Sequence, residues 1–382
     1  MADVAVVGAG LVGCGIAFEL AKRGLAVTVY DRSEPARASW AGAGMLAPFS
    51  EATPDPELLA LCRDALAAYP AFVDDLRERT GIDGVFRRCG TLHVALDEQR
   101  FAELSAHSAI VARNGGEAVV LDRAAALERE PLLNERLAGA LAVENEAQVD
   151  NRRLGRALTA ACGTLGVRFE QVDDVSLEAD ARRVRGLRTS RGFAPASLVV
   201  NAAGAWAGTL GGVPPHARLA VRPVAGEMFA LAVPRSAMRA LIWNGNRYLV
   251  PREDGRLLVG ATVDERGFDA RITAAGQHAL LEAALAVAPR LGAFSIVESW
   301  AGLRPASADG RPYLGATALE GYIAAAGHYR NGILLAPYTA SLIAALVLDG
   351  DEAPLRAFSP QRTTVRDAAG RLAAPAAAKG PA

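Results

Sequence analysis

Three glycines near the start of the chain have the spacing of a loop that binds phosphate. Gly8, Gly10 and Gly13 follow directly after the apolar run from Val4 to Val7. In such a loop the first glycine allows a sharp turn, the second leaves room for a pyrophosphate, and the third lets the following helix pack close to its strand. The free N–H groups and the positive dipole end of that helix attract the anion. The chemistry indicated is the binding of a dinucleotide.

An acidic residue completes this pattern. The predicted helix closes at Lys22-Arg23-Gly24, a basic last turn with a glycine stop, and a second strand then leads to Asp31. A carboxylate at this position would bind the ribose hydroxyls of an adenine dinucleotide. Short glycine motifs arise by chance in a chain with 38 glycines, so the alternative is a βαβ unit that binds nothing. From these residues alone, NAD and FAD both remain open.

Two kinds of strand pattern indicate two kinds of sheet. The runs at Val4–Val7 and 197–208 are apolar at nearly every position, which is typical of parallel strands buried on both faces and covered by helices. Between 218 and 300 the strands are separated by turns such as Glu253-Asp254-Gly255, a hairpin signal that favours an antiparallel sheet. We therefore predict an α/β chain with two sheets.

Two long helical stretches are expected between and after these strands. The stretch 58–79 has apolar residues at helical spacing and should kink or break at Pro70. The stretch 332–348 carries no charge and is at the short limit for a membrane span. Because Pro337 and other non-aliphatic residues stand near its start, we expect a buried core helix instead.

Composition argues against several classes of function. The chain has 382 residues, 51% of them hydrophobic, which is enough for more than one domain. Its net charge of −1 with interspersed signs gives no basic stripe for nucleic acid. Four dispersed cysteines and an N-terminus without a signal-peptide pattern indicate no metal site and a cytoplasmic location. The last residues, from 366, are rich in Ala, Pro and Gly and are expected to form a disordered tail or a short frayed helix.

Longer motifs point to a family. The chain contains SWAGAGML, VVNAAGAWA, VPREDGRLLVGAT, WAGLRPASADGRPYLG and AAGHYRNGILLAP. Together these resemble the D-amino-acid oxidase superfamily of flavoproteins and, within it, the glycine oxidase branch associated with thiamine biosynthesis. The resemblance implies a Rossmann-like FAD-binding domain of discontinuous segments and a substrate domain with a mainly antiparallel sheet. The implied bounds are 1–85, 142–212 and 299–365 for the FAD-binding domain, 86–141 and 213–298 for the substrate domain, and 366–382 for the tail.

FAD is the cofactor that this resemblance implies. The glycine loop would hold its pyrophosphate, and Asp31 would hold its ribose, where many relatives carry Glu. The start of the last helix would direct its positive end at the flavin ring, where negative charge builds on reduction. The residues assigned to FAD by the resemblance are Gly8, Gly10, Gly13, Asp31, Arg32, Ser39, Ala43, Gly44, Met45, Val175, His328, Arg330, Asn331, Gly332, Ile333 and Leu334.

The resemblance also assigns residues to the substrate. Arg304 would anchor a carboxylate, since its planar fork donates two parallel charge-assisted hydrogen bonds; the alternative is a structural ion pair. Tyr248 would assist the same carboxylate, unless it is only a core aromatic, and Arg330 would be a second arginine of the site. Asn246 and Val263 stand where glycine oxidases carry histidine and methionine, so the substrate is expected to differ somewhat from glycine.

The implied activity is oxidative deamination of glycine or another small amino acid or N-alkyl amine. Hydride transfer to the flavin would give an imine, water would hydrolyse the imine to an oxo acid and ammonia or an amine, and O2 would reoxidise the flavin to give H2O2. No base is obviously positioned, so orientation would carry the catalysis. The alternatives are a dehydrogenase that passes electrons to a quinone or a protein, a non-catalytic flavin-binding subunit, and an NAD-dependent enzyme. The resemblance also implies a homo-oligomer, a tetramer in the resembled family, with no membrane partner.

Overall fold

A computed structural model describes residues 4–51 and 53–362. Within them the chain forms twenty strands and eight α-helices. In chain order the elements are β1 Val4–Val7, α1 Leu11–Lys22, β2 Val27–Asp31, α2 Ala38–Ala41, β3 Met45–Leu46, α3 Pro56–Thr80, β4 Phe86–Arg88, β5 Thr91–Ala95, α4 Glu98–Arg113, β6 Ala118–Asp122, α5 Arg123–Arg129, β7 Gly139–Val143, β8 Ala147–Val149, α6 Asn151–Thr164, β9 Arg168–Gln171, β10 Val175–Ala179, β11 Val184–Thr189, β12 Gly192–Pro195, β13 Leu198–Asn201, β14 Arg222–Ala232, β15 Leu241–Asn244, β16 Arg247–Pro251, β17 Arg256–Gly260, α7 Ala274–Val287, β18 Ile296–Ala306, β19 Tyr313–Ala316, β20 Tyr322–Ala326 and α8 Gly332–Asp349.

The first sheet has six strands in the order β19-β20-β13-β1-β2-β9, all parallel except β19. Side chains of β1 alternate between two cores because successive residues of a strand point to opposite faces. Val4 and Val6 pack with the helices α1, α3, α6 and α8, whereas Ala5 and Val7 pack against the strands β10 and β11. The predicted burial on both faces is confirmed. The second face, however, is covered by the three-stranded meander β10-β11-β12 and not by helices.

The second sheet has eight strands in the order β18-β14-β17-β16-β15-β5-β7-β6. All pairs are antiparallel except β15 with β5, and β16 and β17 form the hairpin predicted at residues 253–255. Successive residues of these strands also point to opposite faces of the sheet. Phe229 and Leu249 pack against α7 on one face, whereas Met228 and Tyr248 on the other face pack against Ala41 and Ala43. The predicted α/β fold with a mainly antiparallel second sheet is confirmed.

The two long helices differ in how well they were predicted. Helix α3 runs without a break through Pro70, so a break there is wrong, and the alternative of a kink stays a prediction. It begins with Asp55, which caps the N–H groups of Glu57 and Leu58, and ends at Gly81 in the left-handed conformation. Helix α8 is long and apolar enough to cross a membrane by length and composition, but it packs against α1 and α3 as the expected core helix does.

The implied domain boundaries remain predictions. Strand β18 begins before the boundary at 299 and pairs with β14 along most of its length, so the chain returns to the first sheet only with β19. The predicted tail, 366–382, lies outside the described residues.

A buried acid fixes the loop that follows β3. Glu146 is fully buried and its Oε1 accepts the N–H groups of Phe49 and Ser50 at 2.9 and 2.8 Å. The Ser50 hydroxyl contacts Oε2 at 2.5 Å and Nε2 of His93 at 2.8 Å. Burial raises the pKa of Glu146 to about 7 and lowers the pKa of His93 to about 3. The network therefore holds a neutral histidine and a carboxyl that is protonated below neutral pH.

We predict that Glu146→Gln removes a contribution to stability that the wild-type protein loses as the pH rises. The raised pKa of Glu146 means that its contribution to folding is complete at acid pH and is lost as the pH rises towards 7. Relative to the variant, the wild-type free energy of unfolding should fall by up to about 1.4 kcal/mol per pH unit between about pH 5 and 7. Urea unfolding at several pH values measures this difference. A difference that does not change with pH would contradict the prediction, and Glu352→Gln, at an exposed position, is the control.

Candidate active site

A long cleft lies between the carboxyl ends of the parallel strands and the inner face of the eight-stranded sheet. It is lined by the β1–α1 loop, the segment around α2, the start of β10, the residues after β13, parts of β14, β16 and β18, and the segment before α8. Most of the predicted site residues line it: Gly8, Gly10, Asp31, Arg32, Ser39, Ala43, Gly44, Met45, Val175, Tyr248, Arg304, His328, Arg330, Asn331, Gly332 and Ile333.

The glycine loop at one end is packed so tightly that side chains do not fit. Gly8 has a φ of +106°, and a Cβ on it would lie 2.6 Å from the Ala202 carbonyl oxygen. A Cβ on Gly13 would lie 2.0 Å from the Gly8 carbonyl oxygen. Gly13 thus supports the loop from beneath and does not line the cleft. Gly10 precedes α1, whose N-terminal N–H groups lie beside the cleft, as anion binding requires.

Asp31 lies at the end of β2 and accepts hydrogen bonds from the glycine loop and from the segment that follows β2. Its Oδ1 accepts the Ala9 N–H at 2.9 Å, and its Oδ2 accepts from the Ser33 N–H at 3.0 Å and from Nη1 of Arg37 at 2.9 Å. Ser39 acts similarly, because its hydroxyl accepts the Leu11 N–H at 2.9 Å. Asp31 lines the cleft, and its role as a ribose ligand stays a prediction.

The loop of small residues before β3 is held from behind by a buried arginine. Arg252 donates to the Ala43 carbonyl at 2.8 Å and to the side chains of Gln148 and Asn151 at 2.6 and 3.1 Å. Burial lowers the pKa of Arg252 to about 10, so it stays charged at neutral pH. Gly44 has a φ of +70°, and a Cβ on it would lie 2.0 Å from the Val149 carbonyl oxygen. Sequence reasoning missed Arg252, although a charged residue closing an apolar strand was a usable signal.

Arg304 lies across strand β14, and within the part of the chain that the structure describes only its Nη1 donates hydrogen bonds. Its Nη1 donates to the carbonyls of Ala225 and Thr262, both at 3.1 Å. Gly226 makes room for it, since a Cβ there would lie 2.2 Å from Nη1. No acidic side chain pairs with Arg304 among residues 4–51 and 53–362, which removes the structural ion pair as an explanation. The Nε–Nη2 edge, the one suited to a carboxylate, has no protein partner within those residues.

Tyr248 is buried on the cleft face of β16. Its ring lies over Gly260, where a Cβ would approach within 2.6 Å, and its centroid is 6.0 Å from that of Trp243. The hydroxyl has one weak contact, at 3.9 Å from the sulfur of Met228. The side chain is thus part of a packed cluster and also presents its hydroxyl at the cleft.

Arg330 lines the cleft but is engaged by an acid. Its Nε and Nη2 donate to the two carboxylate oxygens of Glu51 at 2.7 and 3.0 Å. The charge of Glu51 raises the pKa of Arg330 further above its ordinary value. Glu51 also lines the cleft, and no sequence signal indicated it.

The segment before α8 supplies the remaining wall. His328 is buried, with its Nε2 3.2 Å from the Thr339 hydroxyl, and burial lowers its pKa to about 4, so the imidazole is neutral at pH 7. Asn331, Gly332 and Ile333 line the cleft, so the positive end of the α8 dipole faces it. Leu334 is in the helical core instead.

Two predicted substrate residues lie outside the cleft lining. Asn246 occupies the exposed turn between β15 and β16. Val263 follows β17 and is 46% exposed. Neither is among the residues that line the cleft, although Val263 directly follows Thr262, whose carbonyl accepts a hydrogen bond from Arg304.

Comparison with known proteins shows to which family the chain belongs. A sequence model described as "FAD dependent oxidoreductase", named DAO, matches residues 3–346. Glycine oxidase of Geobacillus kaustophilus is 38% identical over 352 residues, which covers 90% of this chain and 92% of the relative. The bifunctional protein ThiO/ThiG of Trichormus variabilis is 36% identical over 92% of this chain. The match covers 54% of that relative, so the chain spans about half the length of the ThiO/ThiG proteins it matches.

Two solved structures of oxidases are similar to this chain in fold and sequence. The crystal structure of glycine oxidase from Geobacillus kaustophilus superimposes with a TM-score of 0.89 at 37% identity, covering 95% of this chain and 99% of that one. Iminodiacetate oxidase from Chelativorans sp. BNC1 gives a TM-score of 0.87 at 29% identity, covering 94% and 98%.

We predict that Gly13→Ala prevents FAD loading. Its methyl group would meet the Gly8 carbonyl at 2.0 Å, so the loop must move away from the position that accepts the pyrophosphate. The ratio of flavin to protein absorbance of the purified variant measures the loading. Gly163→Ala is the matched control, since that helical glycine has no atom within 4 Å of the added methyl group. Full flavin content in Gly13→Ala would disprove the role of this close approach.

Proposed function

The chain belongs to the DAO family of FAD-dependent oxidoreductases, and from this premise we propose that it oxidises the amine of a small amino acid with O2 as acceptor. Glycine and small N-alkyl glycines are the substrates we propose, with an oxo acid, ammonia or an amine, and H2O2 as products. The observation that carries the proposal is the Nε–Nη2 edge of Arg304, a residue of the cleft, which has no partner among residues 4–51 and 53–362. The ThiO name of several relatives supports a place in thiamine biosynthesis.

The cleft suits FAD on grounds independent of the family. Gly8 and Gly10 line the cleft without side chains, where a pyrophosphate would bind, and Asp31, which also lines the cleft, would bind the ribose. The N-terminal ends of α1 and α8 both face the cleft, one near the phosphate loop and one near the substrate residues. When bound, FAD supplies the acceptor for the hydride that leaves the substrate carbon.

The chain's own residues bind and orient the substrate. The Nε–Nη2 edge of Arg304 would hold the carboxylate in two parallel hydrogen bonds, and the Tyr248 hydroxyl would donate a third. A carboxylate held by three donors has one orientation, which fixes the neighbouring carbon relative to the cofactor wall formed by Ala43 to Met45. Both side chains lie on a sheet backed by a packed core, so little reorganisation is needed on binding.

Among residues 4–51 and 53–362, no side chain at this end of the cleft is suited to remove a proton. His328 is neutral and directed at Thr339, and Glu51 is held by Arg330. We therefore propose that the amine binds in its neutral form and that the protein contributes orientation and charge.

We predict that Arg304→Ala raises the KM for glycine or sarcosine at least about 100-fold, since two charge-assisted hydrogen bonds are lost. A peroxide-coupled assay of glycine, sarcosine and small D- and L-amino acids measures this, together with anaerobic bleaching of the flavin. Arg235→Ala, at an exposed position in the β14–β15 loop, should leave KM unchanged.

Three other outcomes of these assays would contradict parts of the proposal. Unchanged KM in Arg304→Ala would overturn the assignment of the anchor. Anaerobic bleaching without peroxide in air would show that the acceptor is a quinone or a protein. A flavin that no amine reduces would favour a non-catalytic subunit.

A further inference from the structure

Glu51 and Arg330 form an ion pair inside the cleft to which the proposed function gives no task. Resting on that proposed function, we propose that Glu51 selects the substrate class by occupying Arg330, so that the site accepts amines with one carboxylate and rejects those with two. The substrates are then glycine or N-alkyl glycines, and not iminodiacetate-like dicarboxylates.

The pair closes the hydrogen-bonding edge that a second carboxylate would use. Nε and Nη2 of Arg330 meet the two oxygens of Glu51 at 2.7 and 3.0 Å, the bidentate geometry that a substrate carboxylate would also adopt. About one-fifth of each side chain is exposed, so solvent weakens the interaction only in part. The Arg330 guanidinium also lies over the ring of Trp243, with its carbon 6.0 Å from the ring centroid.

Hydrogen bonds of the loop that precedes Glu51 hold its backbone in place. Its N–H donates to the Ala47 carbonyl at 3.0 Å. The two preceding N–H groups, of Phe49 and Ser50, donate to the buried Glu146. A carboxylate fixed in this way costs little entropy when it pairs with Arg330, so an incoming carboxylate competes poorly for that edge.

Arg330 is also close in the fold to the proposed anchor. The Tyr329 N–H donates to the Pro305 carbonyl at 2.8 Å, and His328 forms a bridge with Ala306, so the segment before α8 runs beside the strand that carries Arg304. Both arginines line the same cleft. A substrate with its first carboxylate on Arg304 would bring a second one towards Arg330, where the Glu51 charge repels it.

The test compares matched ligands on Glu51→Gln, which keeps the size of the side chain and removes its charge. Sarcosine and iminodiacetate differ by one carboxylate, and butyrate and glutarate are their non-oxidisable isosteres. Wild-type holoenzyme should prefer sarcosine in kcat/KM and butyrate in binding. In Glu51→Gln the preference should shift at least about tenfold towards iminodiacetate and glutarate, because the repelling charge is gone and Arg330 is released. Binding is measured by the change in flavin absorbance on titration.

Control variants separate selection from a general structural effect. Glu57→Gln removes the charge of another glutamate that pairs with an arginine, Arg311, outside the cleft, and should change neither ratio. Glu51→Asp keeps the charge and should keep the wild-type preference. Adding Arg330→Gln to Glu51→Gln should abolish the gained affinity for glutarate.

The results distinguish this inference from the proposed function. If wild-type enzyme oxidises sarcosine but Glu51→Gln keeps the wild-type ratios, the selection by Glu51 is wrong and the amine oxidase proposal stands. If wild-type enzyme already accepts iminodiacetate as well as sarcosine, the inference is again overturned. If no amine reduces the flavin, the proposed function fails, and the butyrate and glutarate affinities still decide the role of Glu51.

Discussion

The close approach of backbone at the end of β1 is the constraint on which the rest of this structure depends. Gly8 and Gly13 lie against each other and against Ala202, with no space for even one methyl group between them. This contact draws the N-terminus of α1 down to the sheet and brings the ends of β1, β2 and β13 to one point. Asp31 and the residues after β13 can line one cleft only because these strand ends meet there.

A second constraint joins the two sheets through buried polar groups. Arg252, at the end of β16, holds the carbonyl of Ala43 in the loop before β3, and it also binds Gln148 and Asn151. A charged group taken out of water needs hydrogen-bond partners, so the three bonds of Arg252 favour one arrangement of the groups around it. The wall made of small residues is thereby set at a constant position relative to the strand that carries Tyr248.

Local sequence patterns predict much of this structure, but they do not predict which distant residues pair. The glycine loop, the β16–β17 hairpin and the core helix α8 follow from residues close together in the chain, and so their prediction succeeded. The sequence pattern did not predict the meander that covers the second face of the parallel sheet. An apolar strand shows that both of its faces are buried, but not which element buries each face. Glu51 and Arg330 are 279 positions apart, and no periodicity or spacing relates them. The motifs named Arg330 as a site residue, but only the fold shows that it is already paired.

The two arginines of the cleft show why a residue type is a weaker guide to function than its partners. Arg304 and Arg330 carry the same group, and the motifs assign both of them to the substrate. Within the described residues, carbonyl oxygens hold Arg304 by one nitrogen and no carboxylate compensates its charge, whereas Glu51 on Arg330 cancels the charge and occupies the fork. Uncompensated charge in a partly buried cleft attracts an anion, and compensated charge does not. The number of carboxylates that the site accepts thus depends on the acid beside each arginine as much as on the number of arginines.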